Sequence, residues 1–368
     1  MLQLQRKRIA FFCILVWYVV LPKERGGKMG YELTGKGLNE AMEEWAKDYA
    51  IYGPRRFKNG GRFSDTDCIR YGEVTSVDEI VFDQKSGFSF KEVLLPVSEV
   101  LFYYTEDSVK EADGPKKGAL IFLRSCDLHG VKRLDEMYLH NGPADSFYRK
   151  IRERVKFVLM GCEKECTNGF CVDMGTNICT DYDLSVNSAG DVYQVDCKNE
   201  AWDDLLHRFC VRQKEVVPAF VTETSVRVKV PEGIDQRISG SSMWKQYDSR
   251  CIGCGRCNFV CPTCTCFSMQ DIKYSDNEKA GERRRVWSSC MVEGYTEVAG
   301  GASHRKKNGD RMRFKVLHKF LTFKKRAGYH MCVGCGRCDD ICPEYISFSD
   351  CVNRLEAGMK EVAGNESQ

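Results

Sequence analysis

The chain has 368 residues, of which 43% are hydrophobic and 29% charged, with a formal net charge of +3 at pH 7. This argues for two to three soluble domains and against a disordered, collagen-like or polytopic membrane protein, and the small charge does not indicate a nucleic-acid or membrane-surface partner. The 21 cysteines depart from ordinary composition. Because their number is odd and they cluster in a large chain, they do not fit a small secreted disulfide scaffold. They predict metal-binding thiols in a reducing compartment, the cytoplasm.

The first 28 residues differ from the remainder of the chain. An apolar run over 9–21 follows three basic residues, as in a signal peptide, but it is short for a membrane span and no small-residue cleavage site follows it. Residues 23–28 can all be written in purine-only codons directly before Met29, as a translated bacterial ribosome-binding site would be. We therefore expect Met29 to be the true start and residues 1–28 to be a misassigned extension. A signal or anchor segment and a buried structural segment are the alternatives.

Residues 29–238 are predicted to form an α/β domain. Two apolar runs, at 118–123 and 155–160, are typical of buried strands, and the chain between them is long enough for a crossover helix. In such sheets, functional residues lie mostly beyond the carboxyl ends of the strands, and Cys126 and Cys162 both fall there. The predicted elements, in chain order, are a helix over 37–50, strands within 79–104, a strand over 118–123, a helix over 129–139, a strand over 155–160, a hairpin over 181–197, a short helix over 199–209 and a closing segment over 227–231.

Two segments, 251–262 and 332–343, share the spacing C-x2-C-x2-C-x3-C-P of bacterial two-cluster ferredoxins. Three closely spaced thiolates wrap one iron–sulfur cube only where the backbone turns tightly, which the glycines between them permit. The fourth cysteine lies beyond that turn and is carried toward the other cluster. Zinc, which usually shows two separated C-x2-C knuckles, and disulfides are the alternatives. By resemblance to the ferredoxin pattern, one [4Fe–4S] cluster is assigned to Cys251, Cys254, Cys257 and Cys342, and the other to Cys332, Cys335, Cys338 and Cys261.

The fold class is therefore α+β, with the α/β domain followed by a helical two-[4Fe–4S] ferredoxin-type domain over 239–358 and a polar tail over 359–368 that we expect to fray. A long insertion, 262–331, separates the two motifs. It is interpreted either as a solvated basic loop or as a docking surface for an acidic redox partner. Arg256 and Arg337, inside the motifs, are expected to be solvated rather than to tune the clusters. The basic residues of the insertion include 283–285, 304–307, Arg311, Arg313, Lys315, Lys319 and 324–326.

A third [4Fe–4S] site is a further possibility near the two strand ends. Its candidate ligands are Cys126, Cys162, Cys166 and Cys171. Cys179 is the alternative to Cys166, and buried structural thiols are the alternative to a site, because unpaired cysteines behave as small apolar residues. Beside the first motif, Cys264, Cys266 and Cys290 are interpreted as structural thiols, with a role as ligands as the alternative. The isolated Cys68, Cys197, Cys210 and Cys351 are also interpreted as structural.

No motif for nucleotide binding or catalysis is apparent in the sequence. It lacks a strand–GxGxxG–helix unit, a P-loop, a separate sirohaem-type cysteine arrangement and a hydrolytic triad. A chain that carries cluster-binding motifs, but no site for an electron donor or for a final electron acceptor, is most simply an electron-transfer subunit. We expect no catalytic residues and no complete active site in this chain.

Four segments resemble the iron–sulfur electron-transfer subunit of anaerobic sulfite reductase and the related beta subunit of cytoplasmic sulfhydrogenases, over about residues 30–355. They are SCDLHGVKRLDEMY, CEKECTNGFCVDMGTN, CIGCGRCNFVCPTCTCFSMQDI and MCVGCGRCDDICPEYISF. The resemblance implies a complex in which an NADH- and flavin-binding subunit supplies electrons, this subunit relays them, and a sirohaem subunit reduces sulfite to sulfide. A membrane or nucleic-acid partner is not expected.

Two alternative functions stay open. The chain fits the electron-transfer subunit of a cytoplasmic hydrogenase or of a heterodisulfide-type reductase. From a different class, an iron–sulfur redox sensor would bind nucleic acid through residues 283–326. A sensor favours one exposed, labile cluster and a recognition helix, whereas the sequence predicts two clusters and shows no helix-turn-helix.

Overall fold

The computed structural model describes residues 30–61, 63, 65–274 and 279–365; the apolar run at 9–21 and Met29 lie outside the described residues. The strands are β1 (Gly30–Thr34), β2 (Tyr49–Phe57), β3 (Cys68–Glu73), β4 (Ser98–Tyr104), β5 (Val109–Glu111), β6 (Gly118–Leu123), β7 (Val155–Met160), β8 (Leu184–Ala189), β9 (Val192–Cys197), β10 (Arg212–Lys214), β11 (Phe267–Lys273) and β12 (Gly281–Trp287). The α-helices are α1 (Gly35–Trp45), α2 (Lys91–Leu94), α3 (Ser125–Tyr138), α4 (Ser146–Arg152), α5 (Asp203–Phe209), α6 (Gln246–Arg250), α7 (Arg256–Phe259), α8 (Asn308–Leu317), α9 (Phe323–Ala327), α10 (Arg337–Ile341), α11 (Phe348–Asn353) and α12 (Leu355–Asn365). Short 3-10 helices occupy Val77–Glu79, Glu200–Trp202, Gln236–Gly240 and Ser242–Trp244, and a π-helical turn, His318–Thr322, joins α8 to α9.

An eight-stranded mixed sheet forms the centre of the N-terminal part, with the strand order β10-β1-β9-β8-β7-β6-β2-β3. Strands β2, β6, β7 and β8 are parallel neighbours, and the other pairs are antiparallel. β6 and β7 are almost wholly apolar because buried side chains cover both faces of the sheet. The buried strands predicted at 118–123 and 155–160 and the hairpin predicted at 181–197 are confirmed.

Three predicted elements differ in extent from the structure. The helix predicted over 37–50 ends earlier, because the chain already enters the large sheet as β2. α3 begins at Ser125, before its predicted start, so that Cys126 lies in its first turn. α12 continues through most of the expected polar tail, where the Glu361 carboxylate accepts a hydrogen bond from Ser242 N at 3.0 Å. The expectation that this tail frays is wrong up to the end of α12.

A four-stranded antiparallel sheet, ordered β11-β12-β4-β5, joins the two halves of the sequence. β11 and β12 form a hairpin in the insertion at 262–331, and β12 pairs with β4, which places Arg285 opposite Glu99. The buried Arg285 guanidinium donates to carboxylate oxygens of Glu99 and Asp145, each at 2.6 Å. The expectation of a solvated basic loop is therefore wrong for this part of the insertion. The domain division near residue 238 stays a prediction, with one sheet built from strands on both sides of it.

A buried ion pair connects the second cysteine motif to the large sheet. Arg337, at the start of α10, donates to both carboxylate oxygens of Asp127 in α3, at 2.6 and 2.9 Å, and to the Ser86 carbonyl at 2.9 Å. Both charged side chains are 1% exposed. The expectation that Arg337 is solvated is wrong because α3 begins beside the motif and brings a carboxylate to it, whereas Arg256 is exposed as expected.

The cysteine motifs have a hydrophobic core of their own among the described residues. It is distinct from the cores on the two faces of the large sheet and includes Trp244, Phe320 and Leu355. Partly buried cysteines that pack against this core are Cys251, Cys257, Cys332, Cys338 and Cys342.

The described part of the chain contains no helix with the length and apolar composition needed to cross a bilayer.

We predict that Asp127→Ala lowers the free energy of unfolding by about 3–5 kcal/mol, because it leaves the Arg337 guanidinium buried without its counterion. Lys47→Ala is the control: it breaks the exposed Lys47–Glu44 pair, and we expect a change below about 1 kcal/mol. Anaerobic urea denaturation followed by circular dichroism measures both changes. Equal stability of the two variants would contradict the role given to the buried pair.

Candidate iron–sulfur centre

Each cysteine motif forms a tight loop that leads into a short helix. Gly253 and Gly255 have φ angles of 66° and 75° in the first loop, and Gly334 and Gly336 have 65° and 72° in the second. Residues with a Cβ rarely adopt this left-handed region, so the glycines permit the turns that bring the first three thiols of each motif together. The role expected for these glycines is confirmed.

Two adjacent cavities collect the eight thiols of the motifs. The first has an apolar wall of Met291, Met312 and Phe348, and the cysteines on its lining are Cys251, Cys254, Cys257, Cys338 and Cys342. The second is lined by Cys257, Cys261, Cys332, Cys335 and Cys338. The last cysteine of each motif thus lines the cavity built by the other motif, and Cys257 and Cys338 border both cavities. Each lining contains the ligand set expected from the sequence together with one cysteine of the other set, and the bonds to iron stay a prediction.

The donor groups of both cavities suit iron–sulfur clusters. When bound, a [4Fe–4S] cluster supplies a one-electron couple whose potential depends on burial, charge and hydrogen bonds to sulfur. Backbone amides supply such bonds: Gly253 N donates to Cys251 Sγ at 3.4 Å, and Ile346 N donates to Cys342 Sγ at 3.3 Å. Among the described residues, no three His, Cys, Asp or Glu side chains form a site for a single metal ion.

Two buried lysines face these thiols. Lys315 in α8 and Lys319 in the π-helical turn are 3% and 4% exposed. Lys319 Nζ donates to Cys261 Sγ at 3.4 Å and to Thr263 Oγ1 at 2.9 Å, and Lys315 hydrogen-bonds the Cys257 thiol. One helical turn separates the lysines, so they share a face, and both line the second cavity. The expectation of a solvated or partner-docking role is wrong for these two residues.

The protonation of the lysines follows from their surroundings. Burial lowers the pKa of an ammonium group, but the Cys257 and Cys338 thiols outweigh burial and raise the pKa of Lys315. Cys261 and its neighbours raise the pKa of Lys319 in the same way. Conversely, burial tends to raise the pKa of the Cys261 thiol, and Lys319 holds that pKa below its usual value. Both lysines therefore stay charged at neutral pH and stabilise the thiolate form of the neighbouring cysteines.

The four candidate ligands of a third site also come together in the fold. Cys126 lies in the first turn of α3, Cys162 follows β7, and Cys166 and Cys171 belong to the next loop. The Cys171 thiol is within electrostatic range of the thiols of Cys162 and Cys166, and Cys126 is within range of Cys171. Burial, followed by these neighbours, raises the pKa of the Cys171 thiol to about 12. The charged neighbours of the Cys179 thiol are instead Asp181, Lys198 and Lys132.

Three thiols interpreted from the sequence as structural neighbours of the first motif form a compact group beside it. Cys266 hydrogen-bonds both Cys264 and Cys290, and Asn258 Nδ2 donates to Cys290 Sγ at 3.1 Å. Lys91 Nζ donates to the Cys264 carbonyl at 3.1 Å. Every described cysteine is a free thiol, so none of these contacts is a disulfide.

Comparison with known proteins agrees with this arrangement. The model of a 4Fe-4S dicluster domain matches residues 250–346, which include both motifs and the insertion. The beta subunit of sulfhydrogenase 2 from Pyrococcus furiosus is 30% identical over 328 residues, covering 84% of this chain and 93% of that protein. The chain belongs to the sulfhydrogenase beta subunit family. No solved structure matches it significantly.

As a member of the sulfhydrogenase beta subunit family with a dicluster domain, the chain is an iron–sulfur electron-transfer subunit that holds two [4Fe–4S] clusters. The predicted fold class and the two clusters are thereby confirmed. The resemblance is confirmed for the relationship to sulfhydrogenase beta subunits, and the narrower resemblance to the sulfite reductase subunit stays a prediction.

The burial of two lysines in this member of the sulfhydrogenase beta subunit family was not predicted from the sequence. Lys315 and Lys319 stand four positions apart, which places both on one face of a helix. A solvated basic loop would not intersperse its charges with so many large apolar residues. That signal was present in Val316, Leu317, Phe320 and Leu321, all of which are buried.

We predict that Lys319→Met lowers the midpoint potential of the cluster in the second cavity by an amount on the order of tens of millivolts, because a nearby positive charge favours the more negative, reduced state. Lys325→Met is the control, since Lys325 is exposed in the same helical run. Anaerobic redox titration followed by EPR spectroscopy measures both variants. An unchanged or raised potential in Lys319→Met would show that this lysine does not act on the cluster.

Proposed function

We propose that the chain relays electrons within an NADH-dependent anaerobic sulfite reductase complex, dissimilatory or assimilatory. An NADH- and flavin-binding subunit supplies the electrons, and a sirohaem subunit uses them to reduce sulfite to sulfide. The observation that supports a relay is the pair of adjoining cavities that together collect eight thiols, with the buried Lys315 on both linings and the buried Lys319 on the second. The four segments that resemble the electron-transfer subunit of anaerobic sulfite reductase support the sulfite-reducing complex in particular.

We propose crosswise ligation of the two clusters. Cys251, Cys254 and Cys257 hold one cluster together with Cys342, and the three leading cysteines of the second motif hold the other together with Cys261. The support is the lining of the cavities, in which each motif contributes its last cysteine to the other side. This exchange ties the two motifs together across the long insertion.

Crosswise ligation predicts that cysteine variants behave in matched pairs. Cys261→Ser is expected to remove the same redox signal as Cys332→Ser, and Cys342→Ser the same signal as Cys251→Ser, because each pair shares a cluster. EPR-monitored redox titration of the anaerobically purified variants identifies the lost signal. Cys351→Ser, at a buried thiol outside both cavities, is expected to keep both signals. Loss of the Cys251→Ser signal in Cys261→Ser would contradict the exchange.

A cytoplasmic hydrogenase complex is the second candidate, because the matched relative is named as a sulfhydrogenase subunit. The thiols and lysines of this chain would relay electrons in the same way there. No described contact favours a heterodisulfide-type reductase over these two. The nucleic-acid-binding sensor loses part of its basis, because Arg285, Lys315 and Lys319 lie within its proposed binding segment and are buried.

The proposed partners are a flavin- and NADH-binding subunit and a sirohaem subunit in the cytoplasm, without a membrane or nucleic-acid partner. The cytoplasmic location is supported by the free state of every described cysteine and by the reduced thiols that cluster binding needs.

Purification of the tagged full chain from its anaerobically grown host separates the two complexes. We expect a flavoprotein and a sirohaem protein to co-purify, and the complex to oxidise NADH with sulfite as the acceptor. Hydrogen uptake by the same sample is the comparison measurement. Co-purification of a hydrogenase subunit, with hydrogen-dependent activity and none with sulfite, would replace the sulfite proposal by the second candidate.

A further inference from the structure

We propose that Cys126, Cys162, Cys166 and Cys171 bind a third [4Fe–4S] cluster at the carboxyl ends of β6 and β7. The proposal rests on the relay function and extends it beyond the dicluster domain, since all four cysteines precede the matched segment 250–346. It assigns a site to a part of the chain that otherwise provides only scaffold.

The fold brings these thiols together without covalent links. β6 and β7 are parallel neighbours, so their ends deliver Cys126 and Cys162 to one edge of the sheet. The loop that follows is held by its own main chain, in which the Cys171 carbonyl accepts a hydrogen bond from Thr176 N at 2.9 Å. All four cysteines are free thiols. Thiols that lie within electrostatic range of one another and form no disulfide are available as ligands.

A buried arginine at the site supports a charged ligand set. Arg124 is 6% exposed; its Nη1 donates to Cys162 Sγ at 3.3 Å, and its Nη2 donates to the carbonyls of Phe82 and Gln84 at 2.5 and 3.1 Å. Within the described part of the chain, no carboxylate forms an ion pair with it. A buried guanidinium needs a nearby anion, and thiolates bound to a cluster provide one.

The site adjoins the second cavity. Phe170 N donates to the Gly334 carbonyl at 2.7 Å, and a Cβ on Gly334 would lie 2.8 Å from Cys171 N, so the loop packs directly on the second motif. The Cys171 and Cys335 thiols are within electrostatic range of each other. A cluster held by these four thiols would therefore lie beside the cluster held by the second motif, and one electron from the proposed reductase subunit would pass between them, oxidising one cluster and reducing the other with no atom transferred.

Other ligand sets have less support from the spacing, the neighbours and the number of their thiols. The spacing C-x3-C-x4-C over 162–171 lacks the C-x2-C knuckles typical of structural zinc. Cys179 has charged residues, rather than the other candidate thiols, as its neighbours in the fold. The compact group at Cys264, Cys266 and Cys290 offers three thiols, one fewer than a four-cysteine cluster uses.

Iron analysis and redox titration of the anaerobically produced full chain test the proposal. We expect about 12 iron atoms and three one-electron couples in the wild type, and about eight iron atoms and two couples in Cys171→Ala and in Cys166→Ala. Cys179→Ser, in the same loop region, and Cys290→Ser, in the competing group, are controls expected to keep the wild-type values. Circular dichroism checks that each variant is folded.

The possible outcomes separate this proposal from the relay on which it rests. A wild type with about eight iron atoms and two couples, or with zinc in addition, overturns the third cluster and leaves the two-cluster relay intact. Loss of a couple in Cys290→Ser but not in Cys171→Ala also overturns the assigned site. An iron-free wild type overturns the relay itself. If the variants misfold, the number of couples in the wild type decides.

Discussion

Charge compensation around eight thiols in two adjoining cavities is the constraint on which the rest of this structure depends. Ionised thiolates in a buried space repel one another, and burial raises the pKa of thiols such as Cys332 and Cys335. Backbone amides and the ammonium groups of Lys315 and Lys319 oppose this cost. The chain therefore gathers thiols where it also supplies buried cations, and iron bound to these thiols would complete the neutralisation.

The parts of the chain outside the motifs provide that compensation and hold it in place. The hairpin of β11 and β12 attaches the insertion to β4, and the insertion continues into the helical run that carries both lysines. Arg337 and Asp127 join the second motif to α3 through a fully buried ion pair. The same pairing of a buried cation with thiols recurs at Arg124 and Cys162. A relay subunit of this kind needs a scaffold because its ligands are unfavourable to bury alone.

Local signals allowed part of this to be predicted from the sequence. The strands at 118–123 and 155–160 are apolar runs interrupted only by Lys156, and the spacing of cysteines and glycines encodes the two loops. The pairing of β12 with β4 and the burial of Lys315 and Lys319 are nonlocal: they depend on segments far apart in sequence, which periodicity and composition do not relate. The same limit explains why Arg337 was expected to be solvated, since its partner Asp127 lies in another element.

The central claim is that two neighbouring clusters exchange electrons inside this chain. EPR spectroscopy of the anaerobically purified, fully reduced chain tests it most directly, because two reduced clusters in adjoining cavities broaden each other's signals through spin–spin interaction. We expect a broadened spectrum that sharpens when partial reduction leaves only one cluster paramagnetic. Two sharp, non-interacting signals, or a colourless chain that contains zinc or no metal, would contradict the claim.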